Sequence, residues 1–129
     1  MGLVMYLNRR IERGDECYWG YAYDWGKSGQ FFKWFQKNVC DGDFDQDYVY
    51  DVSREQLKSL LSDCEKVLAD PSVASEVLPT VNGHGILGSC EYDHLYFWDI
   101  ERTANCLRAV LEEDERYGDA VTYELEASW

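Results

Sequence analysis

This sequence has little proline, no closely spaced cysteines and no long apolar run. Among its 129 residues are two prolines and five cysteines. The cysteines form no C-x-x-C pair and their number is odd, which argues against a disulfide framework or a zinc knuckle and favours a reducing compartment. A secretory leader needs a basic segment before an apolar one, and a membrane helix needs about eighteen apolar residues, and neither pattern is present. We therefore expect a cytoplasmic protein.

Basic residues are also scarce. The chain has 12 Lys and Arg against 25 Asp and Glu, a formal net charge of −13. A field this negative repels nucleic acid and anionic membranes and favours partners with basic surfaces. The sequence also lacks a glycine-rich phosphate loop, a nucleophile elbow and a His-Glu-x-x-His motif. We therefore predict a basic protein as partner, no enzymatic activity, no cofactor, and no direct binding of nucleic acid or membrane.

The length predicts one domain, and strand periodicity is present towards both ends of the chain. Residues 3–8 alternate in a mostly apolar segment, as an internal strand does. Residues 9–16 are expected to turn out into solvent. Aromatic residues alternate with small or polar ones over residues 19–25, which predicts a second strand with all four rings on one core-facing side. Residues 121–127 alternate as a half-exposed final strand.

Helical spacing occupies the middle of the chain. The apolar face of residues 28–39 predicts a first helix. A Ser-x-x-Gln capping box and a continuous apolar stripe predict a second helix over residues 53–70. A third helix is predicted over residues 89–115, after a glycine-rich loop in which residues 84–87 form a short strand. Together these elements predict an α+β domain, with about three helices packed on a small, mostly antiparallel sheet that includes both termini.

A cluster of carboxylates lies between the first two predicted helices and fits the first alternate positions of a calcium-binding loop. Counted from Asp41, however, position six of the loop is Gln46, where the turn needs Gly. Position twelve is Val52, where a bidentate Glu should complete the coordination of the ion. No calcium site is therefore predicted. Two interpretations remain, a solvated acidic loop and a recognition surface for a basic partner. The candidate residues are Asp41, Asp43, Asp45, Asp47 and Asp51.

A second acidic run stands at the end of the third predicted helix, where the helix dipole disfavours negative charge. It is either a frayed, solvated end or, near Glu124 and Glu126, part of one acidic surface. On the second interpretation it also contacts the partner. The candidate residues are Glu112, Glu113, Asp114 and Glu115.

The histidines give weaker signals. Cys90 and His94 are spaced for one helical face, but two ligands do not make a zinc site, so no metal residue is predicted. His84 has no nucleophile or orienting group near it in the sequence, so no catalytic residue is predicted.

Two alternatives to a binding protein of this kind remain open. One is a small enzyme or ligand-binding domain with a pocket between the aromatic strand and the first helix. The other is a structural or protein-interaction module. The pocket of the first alternative uses Tyr21, Tyr23, Trp25, Lys27 and His84.

Several segments together resemble a family of small phage and prophage proteins. They are the opening GLVMYL, the stretch from Trp25 to Phe35, VSREQL at 52–57, GSCEYD at 88–93 and the terminal Ala-Ser-Trp. Members of that family begin GLDMYL, carry a YWRKAN-x-I-H-x-WF helix and end in Ser-Trp. The segments follow the same order over nearly the whole chain, and the family brings no established activity.

This sequence departs from the family pattern at polar positions. The pattern has Asp, Arg, Asn and His where Val4, Gly26, Gly29 and Phe32 stand here. An apolar framework and an acidic surface remain, which suits a binding protein. The resemblance and the charge together predict a phage-derived, non-enzymatic inhibitor of the anti-CRISPR or other anti-defence type, acting in the bacterial cytoplasm. Its carboxylates would stand in for DNA phosphates on a basic host protein such as a CRISPR effector or a defence nuclease.

The last residue, Trp129, continues the alternation of the final strand onto its core-facing side. Such a large aromatic at a strand end is expected to fill a gap in the core. The competing interpretation is an exposed anchor for the partner.

Overall fold

The computed structural model describes residues 3–46, 48–80 and 91–129. Within them the backbone forms an α+β arrangement, which confirms the predicted fold class. Short 3-10 helices at Pro71–Val73 and Glu115–Ala120 adjoin the longer helices. The elements are β1 (Val4–Arg13), β2 (Glu16–Trp25), α1 (Gly29–Asn38), β3 (Tyr50–Val52), α2 (Arg54–Ala69), α3 (Ala74–Val77), α4 (His94–Asp114) and β4 (Val121–Ser128).

The two terminal strands pair in the middle of one antiparallel sheet. The strand order is β2-β1-β4-β3, and Val4 on β1 lies opposite Ser128 on β4. The alternation of buried and exposed side chains agrees with this placement, since every second side chain of β4 from Val121 to Ala127 is buried. Strands that present one apolar face are protected best when a neighbour lies on each side. The predicted pairing of the termini is confirmed.

Residues 9–16, predicted to turn out into solvent, instead complete a β-hairpin. β1 continues to Arg13, β2 begins at Glu16, and Gly14 turns between them with a φ of +62°. Glycine adopts a positive φ without steric strain, so it suits a tight hairpin turn. The prediction was wrong because residues 9–16 are mostly polar and show no hydrophobic alternation, although main-chain pairing holds them in the hairpin.

A β-bulge interrupts the pairing of β1 with β2. Leu7 lies opposite Tyr23, but the next residue of β1, Asn8, lies opposite Tyr21. Ala22 is therefore an extra residue on β2. One extra residue moves every side chain beyond it to the other face of the sheet.

The bulge divides the aromatic residues of β2 between the two faces. Trp25 is buried in the core and Tyr23 is half-buried beside it, with their ring centroids 4.9 Å apart. Trp19 and Tyr21 lie on the opposite face and are exposed. The prediction that all four rings face the core was wrong for these two residues.

The first two helices agree with the sequence. In α2, the Ser53 hydroxyl accepts a hydrogen bond from the Gln56 N–H at 3.0 Å, and the Gln56 side-chain oxygen accepts one from the Ser53 N–H at 2.8 Å. This is the predicted capping box. The buried residues of the two helices are Phe31, Trp34, Phe35, Leu57, Leu60, Cys64 and Val67, with Gly29 and Gln30 at the start of α1.

α4 begins later than predicted. Its N-cap is Asp93, whose carboxylate accepts hydrogen bonds from the N–H groups of Leu95 and Tyr96, both at 3.1 Å. An Asp at this position satisfies free N–H groups and favours the helix dipole. The predicted start at Ser89 and the predicted short strand at residues 84–87 lie outside the described residues.

The core lies between the helices and one face of the sheet. Trp25 is at its centre, with its ring centroid 5.3 Å from that of Phe35, and its indole N–H donates a 2.9 Å hydrogen bond to the Thr103 hydroxyl. None of the helices in the described part of the chain has the length and apolar content that a membrane crossing requires. The largest fully buried side chains include Trp25, Tyr123, Phe31, Phe35, Leu3, Met5, Leu7 and Ile100.

Candidate partner-binding surface

The face of the sheet that points away from the helices is here called the open face. Its side chains are exposed or partly exposed, and none belongs to the buried core. Strand register decides which residues share it, because directly paired residues of neighbouring strands point to the same side. Along β1, β2, β3 and β4 its central residues are Tyr6, Asn8, Arg10, Glu12, Cys17, Trp19, Tyr21, Asp24, Asp51, Thr122, Glu124 and Glu126.

Carboxylates dominate the charge of the open face. Asp51 on β3 lies directly opposite Glu124 on β4. Side chains at such positions have Cβ atoms about 5 Å apart, and like charges there destabilise a sheet. Folding therefore gains nothing from this pair. The charged groups of these central residues are the carboxylates of Glu12, Asp24, Asp51, Glu124 and Glu126 and the guanidinium of Arg10.

Large aromatic rings stand among these carboxylates. The exposed fraction is 38% for Tyr6, 58% for Trp19 and 60% for Tyr21. The phenol of Tyr21 donates a hydrogen bond to the carboxylate of Asp24, and this bond raises the pKa of Tyr21 to about 12. The open face thus combines flat apolar rings with negative charge.

Arg10 connects the aromatic and acidic parts of the open face. Its guanidinium carbon lies 5.1 Å from the ring centroid of Trp19, within the range of a cation–π contact. Its Nη2 is 2.5 Å from a carboxylate oxygen of Glu12, and its Nε donates to the Cys17 sulfur at 3.2 Å.

A groove of about 550 Å³ lies beside the β3 side of the open face. Four carboxylates, those of Glu12, Asp51, Asp119 and Glu124, line it together with Arg10. The groove offers several hydrogen-bond acceptors at once, which suits a planar cation such as a guanidinium.

The predicted acidic loop between α1 and β3 lies close to the edge of the sheet. Asp41 adopts a φ of +52° at the end of α1, and Asp43 and Asp45 are exposed. The Tyr50 hydroxyl ties the loop down, since it donates to the Asp43 carbonyl at 2.9 Å and accepts from the Asp45 N–H at 2.8 Å. Asp51 belongs to the open face, and Asp47 lies outside the described residues.

The second predicted acidic run divides at the end of α4. Glu112, Glu113 and Glu115 are exposed, and a Glu113 carboxylate oxygen lies 3.8 Å from the Arg116 guanidinium. Asp114, in contrast, is 0% exposed and cannot contact a partner. The prediction for Asp114 was wrong because this residue lies three after the buried Leu111, on the side of α4 that faces the core.

Asp114 joins α4 to two strands. It accepts hydrogen bonds from the Arg9 guanidinium and, at 2.7 Å, from the Tyr123 hydroxyl. Burial raises the pKa of Tyr123, and its bond to Asp114 raises it further. A buried charge needs such partners, so this group has a structural role.

Among the described residues of the alternative pocket, Tyr23 and Trp25 pack together, but Tyr21 and Lys27 belong to other surfaces. Trp25 fills the core, and Tyr21 lies on the open face beyond the bulge. Lys27 lines a separate cavity of about 270 Å³ with Gln30 and Asp99. His84 lies outside the described residues.

Asp99 is a half-buried carboxylate of that cavity. It accepts hydrogen bonds from the Ser28 hydroxyl at 2.5 Å and from the Gln30 amide at 2.9 Å. Burial raises the pKa of Asp99 above its usual value, and the two hydrogen bonds oppose that rise. Asp99 is thus a carboxylate that the chain itself already satisfies.

Of the residues weighed as zinc ligands, His94 is exposed at the first position of α4, and Cys90 lies outside the described residues. Within residues 3–46, 48–80 and 91–129, no three His, Cys, Asp or Glu side chains are grouped so that they could hold a metal ion.

The residues of the open face were only partly visible in the sequence. The alternation of the last strand marked Glu124 and Glu126 as outward-facing, and the run of acids included Asp51. Nothing marked Asp24, Trp19 or Tyr21 as its neighbours, because the bulge at Ala22 is not encoded by a local motif.

Comparison with protein-family profiles, with curated proteins and with solved structures finds no match to this chain. The resemblance to small phage and prophage proteins therefore stays a prediction drawn from sequence motifs.

Proposed function

We propose that this protein is a non-enzymatic inhibitor that binds a basic, nucleic-acid-binding host protein, such as a CRISPR effector or a defence nuclease. The observation that carries the proposal is the open face, where five carboxylates of the described residues share one surface with a single arginine. The charges are Glu12, Asp24, Asp51, Glu124, Glu126 and Arg10.

The physical basis is replacement of phosphates by carboxylates. A protein channel that holds nucleic acid is lined by Lys and Arg and keeps counterions when it is empty. Binding of an acidic surface releases counterions on both sides, as DNA binding does. The net charge of −13 adds long-range attraction and raises the association rate.

The rigidity of the sheet supports the same function. Main-chain hydrogen bonds hold neighbouring strands about 4.8 Å apart, which fixes the positions of the Cα atoms that carry these carboxylates. Asp51 and Glu124 thus keep their spacing without a partner, and little order has to be imposed on binding. A flexible acidic tail would lose far more conformational entropy.

The test is a competition experiment. Immobilised protein is exposed to host lysate at low salt, bound proteins are eluted with high salt, and each is purified. We expect at least one nucleic-acid-binding protein whose affinity for DNA or RNA falls as this protein is added, with a steep dependence on salt. Polyglutamate at equal carboxylate concentration is the control and should compete far less. A captured protein that keeps its nucleic acid at saturating inhibitor would refute the proposal.

A further inference from the structure

We propose that the open face recognises arginine side chains of the partner, with Trp19 and Tyr21 as stacking surfaces and Asp51 and Glu124 as carboxylate acceptors. This inference rests on the proposed function for the class of partner, a basic protein. It adds which cation is recognised and where.

The exposure of the rings is the first argument. Trp19 and Tyr21 are more than half exposed, although the same strand buries Trp25. The bulge at Ala22 turns them away from the core, onto the face that no helix in the described part of the chain covers. Exposed aromatic groups on a sheet face are typical of interaction sites.

The chain itself displays the proposed binding mode. The Arg10 guanidinium lies over the ring of Trp19 and is paired with Glu12. One arginine thus satisfies an aromatic face and a carboxylate together. An aromatic ring and a carboxylate occur again on the open face, at Tyr21 and at Glu124.

The remaining carboxylates of the face are open to a partner. Among the described residues, neither Asp51 nor Glu124 forms an ion pair, and the two lie directly opposite each other on β3 and β4. The groove that they line with Asp119 has room for a guanidinium. An arginine placed there would remove the like-charge repulsion of the pair.

Charge complementarity selects the occupant. Nucleic acid is repelled by these carboxylates, and a second copy of this chain brings a charge of −13 to the same surface. Among cations, arginine fits better than lysine. Its planar guanidinium stacks on aromatic rings, binds carboxylates through two parallel hydrogen bonds and is weakly hydrated. A lysine ammonium offers attraction but neither stacking nor the planar fork.

Fluorescence anisotropy with labelled octa-arginine and octa-lysine peptides tests the inference. We expect octa-arginine to bind about tenfold more tightly than octa-lysine, as two cation–π contacts imply. The double variant Trp19→Ala, Tyr21→Ala should remove most of this preference and leave the part that comes from two-point binding of carboxylates. Asp51→Asn with Glu124→Gln should weaken both peptides about tenfold or more.

Matched controls separate the open face from general effects. Trp98 is another exposed tryptophan under an arginine, but it lies on α4, so Trp98→Ala should leave both affinities unchanged. Glu55→Gln with Glu101→Gln changes the net charge as much as the carboxylate variant does, at exposed helix positions. Circular dichroism of each variant verifies folding.

The outcomes that overturn the inference differ from those that overturn the proposed function. Equal binding of the two peptides refutes arginine recognition by this face. So does a loss of binding in the variant Asp41→Asn, Asp43→Asn, Asp45→Asn when the open-face variants still bind. A dimer in solution that Trp19→Ala dissociates also refutes it, since a second copy then covers the rings. In each case a captured protein that still loses its nucleic acid leaves the proposed function standing.

Discussion

The hydroxyl of Tyr123, in the middle of β4, donates a 2.7 Å hydrogen bond to Oδ2 of Asp114, the last residue of α4. The other carboxylate oxygen of Asp114 accepts from the Arg9 guanidinium on β1. These bonds satisfy a fully buried charge and attach the end of the longest helix to the two central strands. An acidic residue in an acidic run therefore serves the fold and not the surface.

Replacing Asp114 with Ala should lower the free energy of unfolding by about 3–5 kcal/mol, since the mostly buried Arg9 guanidinium loses its hydrogen-bonded carboxylate and is left with the exposed Glu113 carboxylate at 3.9 Å. Urea unfolding followed by circular dichroism measures the change. Glu112→Ala, two residues away and exposed, is the control and should change it by less than about 0.5 kcal/mol. A loss of less than about 1 kcal/mol in Asp114→Ala would contradict the structural role.

Replacing Thr103 with Val should lower the free energy of unfolding by about 1–3 kcal/mol, because the buried indole N–H of Trp25 then has no acceptor. Val has nearly the shape of Thr, so packing is retained. Trp25→Phe and the double variant complete a double-mutant cycle. We expect Thr103→Val to be nearly neutral in the Trp25→Phe background, and an equal loss in both backgrounds would show that the hydrogen bond contributes nothing.

Asp99→Asn should change how stability depends on pH. Burial raises the pKa of Asp99 in the folded state, so on raising pH the unfolded chain ionises first, near pH 4, and the folded state loses stability until Asp99 itself ionises. The Asp99→Asn variant has no group that ionises at this position, so it does not lose this stability. Its free energy of unfolding relative to the wild type should therefore increase with pH over that window and level off above it.

Urea unfolding at intervals from pH 4 to about 7 measures this difference. Glu112→Gln removes one exposed charge and controls for the change in net charge. A difference between Asp99→Asn and the wild type that stays constant or shrinks with rising pH would contradict the raised pKa.

Removing the Trp129 side chain should lower the free energy of unfolding by about 2 kcal/mol, less than for a fully buried aromatic. The indole is half-buried, at 5.4 Å from the Phe32 ring and 6.1 Å from the Phe44 ring, and both contacts are edge-on. Denaturant unfolding of Trp129→Ala, beside the peptide-binding assay, checks the estimate. Full stability with weakened binding would instead favour the partner-anchor interpretation.

The prediction that Trp129 faces the core agrees with its packing. The alternation of apolar and polar residues from Val121 to Ala127 was enough to predict this, because a strand has only two faces and the core lies on one of them. The capping box of α2 was predictable for a similar reason. Ser53 and Gln56 satisfy each other's main-chain N–H groups whatever the rest of the chain does.

The candidate site was less predictable. Asp51 was identified as acidic, but its position opposite Glu124 depends on β3 pairing with β4, some seventy residues further along the chain. Asp114 was assigned to the surface because its sequence neighbours are charged. Only the packing of α4 against Arg9 and Tyr123 turns it inward.

The sequence by itself determined α1, α2 and β4 and the faces that they bury, since capping and hydrophobic periodicity act over a few residues. Tertiary structure alone decided the order of the strands, the bulge at Ala22 and the buried partners of Asp114. These features arise from register and long-range pairing, in which one residue of slip exchanges the two faces of a strand. The side on which Trp19 and Tyr21 stand, and with it the proposed arginine-binding face, belongs to this second group.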